Sequence, residues 1–173
     1  MMWGEGHMEI TIRLLKEGDI GPIAASFTEA GNKSKTTSLY ERYLDEQEKG
    51  ERVVLVAFSG EDFIGYVTIH WQSDYPPFAE KGVPEIQDLN VLPRFQRLGI
   101  ASKLVDEAEK RVYERSSIVG TYASYGPAQR MYVLRDYVPD GLGLFYKDKP
   151  IIHGREVPGD GELALYLVKE RES

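Results

Sequence analysis

The run Gln96-Arg97-Leu98-Gly99-Ile100-Ala101 stands where a strand-like segment, residues 85–91, passes Pro93 and becomes a long amphipathic stretch. A helix that starts here leaves its first amides without intrahelical partners and carries about half a positive charge at that end. That combination suits a diphosphate. Gly99 removes a side chain where an anion must come close, and Ala101 keeps the next turn small. Arg94, Arg97 and Lys103 flank the loop and can meet further phosphates. Gly99 also reads as an ordinary turn residue before a helix, and spacing alone does not separate the two readings. The Walker and dinucleotide glycine patterns are absent, so neither a nucleoside triphosphate nor a nicotinamide cofactor is expected.

The elements around this loop follow from periodicity. Ile10, Ile12 and Leu14 alternate with Thr11 and Arg13, so residues 9–15 read as a strand. Asp19 is placed to cap a helix through Ile23, Ala24 and Phe27, ended by Gly31-Asn32. Residues 36–49 read as a second helix. Residues 52–58 and 63–71 read as a hairpin across Ser59-Gly60-Glu61-Asp62. Residues 73–83, with Pro76-Pro77 and Gly82, read as a loop before the strand at 85–91. The helix over 99–115 carries one apolar stripe of Ala101, Leu104, Val105, Ala108 and Val112. A short strand at 117–123, a helix at 126–135 and strands at 144–147, 151–153 and 162–168 complete the chain. The fold class expected is α/β (α+β), with a mixed, mostly antiparallel sheet of about six to seven strands flanked by helices.

The segment Val91-Leu92-Pro93-Arg94-Phe95-Gln96-Arg97-Leu98-Gly99-Ile100-Ala101 resembles motif A of the GCN5-related N-acetyltransferase (GNAT) superfamily. There a Gln or Arg is followed, with two residues between, by Gly, then any residue, then Gly or Ala, with proline three residues before. The resemblance implies a GNAT-like domain over residues 9–173 and acetyl-CoA as co-substrate. It assigns the pyrophosphate to Gln96, Arg97, Leu98, Gly99, Ile100, Ala101 and Ser102, and the pantetheine arm to Leu89, Asn90 and Val91. Ala128-Gln129-Arg130-Met131-Tyr132 resembles the family's later helix, where alanine and tyrosine share one face. It implies cofactor contacts at Tyr125 and Ala128, and a role for Tyr132 in protonating the departing thiolate. The chain departs from the pattern at Arg97 and Asp136, where the family often has glycine, and at Tyr125, where it often has asparagine.

Acetyl transfer to an amine needs a neutral nitrogen, while an alkylammonium titrates near 10.4. Some group must therefore accept a proton, directly or through water. Asp88, which interrupts an apolar strand, is the first candidate base and Glu85 the second; a structural hydrogen-bond acceptor is the competing reading of Asp88. Trp71, Tyr75, Phe78 and Tyr122 can line an acceptor pocket or fill a core. The expected activity is an N-acetyltransferase acting on a primary amine by direct attack in a ternary complex. The alternative is a non-catalytic acyl-CoA sensor or partner subunit of the same fold.

Composition bounds the rest. The 173 residues carry 21 basic and 28 acidic side chains, a formal charge of −7, which disfavours nucleic acid as a partner. There are no cysteines, and His7, His70 and His153 lie far apart, so no metal is expected. No apolar run approaches the roughly 20 residues of a membrane span. Residues 1–8 read as a leader or frayed terminus without signal-peptide character. A cytoplasmic location is expected by default and a homodimer by analogy with the family.

Overall fold

The computed structural model describes residues 8–172, so most of the expected leader lies outside the described residues. The alternating segment forms β1 (Ile10–Leu14), and two helices follow, α1 (Ile20–Glu29) and α2 (Thr37–Glu48). Thr36 caps α2 by accepting the Leu39 amide at 3.4 Å. Asp19 does not cap α1. Its carboxylate takes the Arg13 guanidinium at 2.7 and 2.8 Å and the Lys16 amide at 2.8 Å, which leaves nothing for the helix.

The hairpin is β2 (Arg52–Ser59) and β3 (Asp62–His70), with β1 antiparallel to β2. The expected loop at 73–83 instead contains a helix, α3 (Pro76–Lys81). Its two prolines fall in the first turn, where a missing amide donor costs nothing, and Gly82 closes it at φ 66°. Then come β4 (Glu85–Val91), α4 (Ile100–Tyr113), β5 (Ile118–Ser124), α5 (Pro127–Leu134), β6 (Val138–Tyr146), β7 (Lys149–Pro150) and β8 (Leu163–Glu170).

The sheet is mixed and mostly antiparallel, as expected, but among the described residues has eight strands in the order β1-β2-β3-β4-β5-β8-β6-β7. β4 runs parallel to β5, with Glu85 opposite Gly120 and Ile86 opposite Thr121. β8 is antiparallel to both β5 and β6. β6 starts six residues before the strand expected at 144, because glycines at 141 and 143, with φ 87° and 93°, and a register shift between Pro139 and Leu144 erase the alternation. Residues 151–153 are not a strand.

The chain divides into two compact units. One comprises the chain up to Thr68 with Asp88–Ala108. In it Ile23, Phe27, Tyr40, Tyr43, Val54, Val56, Tyr66 and Leu92 form one core. The other comprises Ile69–Gln87 and the chain from Glu109 onward, with a core of Tyr75, Phe78, Val83 and Phe145. Tyr75 stacks flat on Tyr166 with ring centres 3.5 Å apart, and Tyr122 leans on the same ring. Of the four aromatics considered for a pocket, Tyr75, Phe78 and Tyr122 therefore belong to this packing. Trp71 lies under the Arg115 guanidinium.

β3 approaches β4 closely in the first unit. A Cβ on Gly65 would lie 2.7 Å from the Asn90 carbonyl oxygen and 3.2 Å from the Val91 Cα. Both are backbone atoms and cannot rotate aside. Gly65→Ala is expected to lower stability by about 1–3 kcal/mol, read as a lower urea midpoint. An unchanged midpoint would contradict this close approach.

Candidate functional site

After β4 the chain makes a short 3-10 turn at Pro93–Phe95 before α4 begins at Ile100. Two residues between them are left-handed, Arg97 at φ 64° and Gly99 at φ 79°. This kink removes the carbonyls that would otherwise stand four residues behind the first helical amides. The first backbone bond into α4 runs from the Lys103 amide to the Gly99 carbonyl at 3.2 Å. Among the described residues, no carbonyl or side chain accepts from the amides of residues 97–101. Arg97, Leu98 and Gly99 are exposed, and a Cβ at Gly99 would meet nothing within 4 Å. The Gln96 side chain donates to the Val91 carbonyl at 3.1 Å, which ties the turn back to the end of β4. The Arg97 guanidinium has no partner among the described residues. An exposed corner with unpaired donors, open space and a free cation fits a diphosphate.

β4 carries the second feature. Asp88 is left-handed at φ 57°, which breaks the strand's regular course. Its carboxylate is saturated. Oδ1 accepts from Lys35 Nζ at 2.6 Å and Asn90 Nδ2 at 2.7 Å, and Oδ2 accepts from Tyr66 OH at 2.6 Å and Tyr43 OH at 2.9 Å. Burial alone would raise this carboxyl's pKa. Hydrogen bonds from Lys35 and Tyr66, the charge of Lys35 and the bond from Tyr43 outweigh burial and hold it below the usual value. Burial first, then the charge of Asp88, pushes the Tyr66 and Tyr43 phenols up, so both remain donors. Glu85, the second candidate base, is buried and accepts from Ser73 at 2.6 Å and Gln87 at 2.6 Å.

Tyr132 sits on α5 in the second unit and is 3% exposed. Burial raises its phenol to about 12, partly offset by a hydrogen bond with Thr121. Its ring packs edge-on against Tyr137 with centres 4.9 Å apart. Ala128 and Tyr125 are exposed, and the Tyr125 amide donates to the Leu163 carbonyl at 2.7 Å.

The acetyltransferase (GNAT) family matches residues 22–136, more than half of the chain. The chain belongs to this family. Solved structures share its fold. A ribosomal-protein-alanine N-acetyltransferase from Brucella melitensis is 18% identical, with a TM-score of 0.68 over 92% of this chain and 99% of that one. NAA60 of Arabidopsis thaliana in complex with acetyl-CoA is 17% identical, with a TM-score of 0.68 over 94% of this chain and 98% of that one. A spermidine N-acetyltransferase SpeG chimera from Vibrio cholerae and hSSAT is 15% identical, with a TM-score of 0.66 over 93% of this chain and 95% of that one. No curated protein sequence matches.

Within this acetyltransferase, two departures from the family pattern share one explanation. Arg97 and Asp136 stand where glycine is often found, and both are left-handed, at φ 64° and 71°. The backbone keeps the conformation glycine takes freely, at a cost of about 1 kcal/mol for a side chain. Tyr137, after Asp136, uses its hydroxyl to donate to buried Glu109 at 2.8 Å, and Arg135 donates to the same carboxylate at 2.8 Å.

The structure brings the loop residues together at one corner and Asp88 with Asn90 on the preceding strand. The residues that sequence reasoning missed are Lys35, Tyr43 and Tyr66. Lys35 meets Asp88 across 53 positions, so no local pattern joins them.

The depressed carboxyl has a measurable consequence. An unfolded aspartate titrates near 3.9, so Asp88 contributes stability in full above about pH 5, and this is lost as pH falls through the lower folded value. The stability gap between wild type and Asp88→Asn is therefore expected to hold between about pH 5 and 7 and to close below about pH 4. Chemical denaturation across that range checks it; a gap unchanged at acid pH would contradict the assignment.

Proposed function

We propose that this acetyltransferase is an acetyl-CoA-dependent N-acetyltransferase for a primary amine, acting by direct attack in a ternary complex. The observation that carries this reading is the row of amides at residues 97–101 and the Arg97 guanidinium beside them, none of which has a partner among the described residues. Acetyl-CoA supplies the activated acetyl thioester. The amides hold its pyrophosphate, with Arg97 and Lys103 adding charge, while Leu89, Asn90 and Val91 guide the pantetheine arm along β4. Two proteins of the same fold, a ribosomal-protein-alanine N-acetyltransferase and a spermidine N-acetyltransferase chimera, carry amine acceptors in their names, which supports an amine acceptor here.

Tyr132 is the proposed proton donor to the departing thiolate. A phenol raised to about 12 stays protonated throughout the working range. Asp88 is no longer the preferred base: a carboxylate already holding four donors and depressed in pKa takes up a proton poorly. The acceptor's proton leaves through water instead.

One pair of variants tests this reading. Gly99→Glu adds strain at a left-handed position and a negative charge at the corner, and is expected to weaken acetyl-CoA binding by about 2–3 kcal/mol, roughly a hundredfold. Tyr132→Phe is expected to lower kcat by roughly 10²-fold or more with the acetyl-CoA Kd unchanged. Calorimetry on folded protein and thiol-release kinetics read these out. Normal affinity in Gly99→Glu would reject the corner, and unchanged turnover in Tyr132→Phe would remove the tyrosine from the mechanism.

A further inference from the structure

The four donors around Asp88 are not alike. Tyr43, Tyr66 and Asn90 belong to α2, β3 and β4, and the two tyrosines are buried, at 6% and 0% exposure. They are fixed parts of the scaffold. Lys35 is different, since it reaches in from the turn between α1 and α2 and is the one ion among the donors. Its ammonium lies 2.6 Å from the carboxylate and 5.9 Å from the centre of the Tyr66 ring. A carboxylate and an aromatic face together make a seat for an alkylammonium. The Lys35 side chain is 15% exposed and the Asp88 side chain 19%, so the seat opens to solvent on one side.

A largely buried carboxylate is costly to leave without a cation. In the structure the seat holds the Lys35 ammonium, a primary ammonium on an unbranched alkyl chain. A group bound this way stays charged, because the carboxylate stabilises its protonated form. The seated nitrogen is therefore not the one that attacks. An acceptor recognised here must carry a second amino group that remains free to lose its proton. The formal charge of −7 on the chain favours the approach of such a cation.

We propose that Asp88, with Tyr43 and Tyr66, is the recognition site for one ammonium of an aliphatic diamine or longer polyamine acceptor, and that Lys35 is its resting occupant, displaced when the acceptor binds. This rests on the acetyltransferase reading above and names the substrate class for it. The bland competitor is a structural ion pair tying the α1–α2 turn to β4.

The test uses wild type, Lys35→Ala, Lys35→Met, which keeps an aliphatic stem, and Lys35→Ala/Asp88→Asn. Each is melted with increasing n-butylammonium or 1,4-diaminobutane, against n-butanol and sodium chloride at matched concentration and ionic strength. Both lysine variants should melt below wild type and recover by about 2–4 °C, saturably, at about five times the amine Kd. The double variant should not respond. In thiol-release assays with acetyl-CoA, 1,4-diaminobutane should be consumed at least about tenfold faster by Lys35→Ala than by wild type at subsaturating amine, and n-butylamine should be a poor acceptor for both. Amine recovery no greater than the salt control, or equal recovery in the double variant, would overturn the seat. Equal turnover of the monoamine and the diamine would overturn the two-amine requirement. Acetyl-CoA calorimetry runs in parallel. Loss of binding in every protein, wild type included, defeats the acetyltransferase reading, whereas amine silence with acetyl-CoA binding intact defeats the seat alone.

Discussion

A peptide chain satisfies most of its own backbone donors, and the exceptions need a partner from water or from a ligand. Here the exceptions fall together. Left-handed turns at Arg97 and Gly99 stop the segment from joining the helix that follows, so the amides of residues 97–101 have no acceptor among the described residues. The rest of the first unit holds this corner still. Ile100, Leu104, Val105 and Ala108 bury the apolar face of α4. Gln96 fastens the turn to the last carbonyl of β4, and the Leu92 amide donates to the Ile64 carbonyl at 2.9 Å. Donors held in place in this way bind an anion without paying again for their ordering.

The strand that leads to the corner is itself pinned by charge. Asp88 breaks the course of β4 with a left-handed residue, and its carboxylate gathers donors from α2, β3 and the α1–α2 turn. Such a cluster is stable only when every member is satisfied, since an unpaired buried ion is severely penalised. That requirement explains why the most chemically suggestive carboxylate of the sequence is poorly available as a base. It also explains the two raised phenols, Tyr43 and Tyr66, which stay protonated to serve as donors.

Much of this was legible in the sequence. The loop-to-helix junction announces itself through Pro93, Gly99 and the apolar stripe of α4, and the family resemblance rests on the same residues. In the first unit β1 could be read from its alternation, and β2 and β3 from runs rich in β-branched residues on either side of the Ser59-Gly60-Glu61-Asp62 turn. Other features stayed hidden for definite reasons. α3 was masked by Pro76-Pro77, which start a helix as readily as they break one. β6 was masked by glycines and a bulge that destroy period two. The seat around Asp88 joins residues from positions 35, 43, 66 and 88, and long-range pairing of that kind leaves no trace in local spacing. A left-handed aspartate inside a strand leaves none either.

The central claim concerns individual backbone amides, so the most direct measurement observes them. In nitrogen-15 spectra of the full chain titrated with coenzyme A, the amide resonances of residues 97–101 should shift saturably, in step with binding measured by calorimetry, and 3′,5′-diphosphoadenosine without the pantetheine arm should leave Leu89, Asn90 and Val91 undisturbed. Saturable coenzyme A binding with those five amides unmoved would contradict the account.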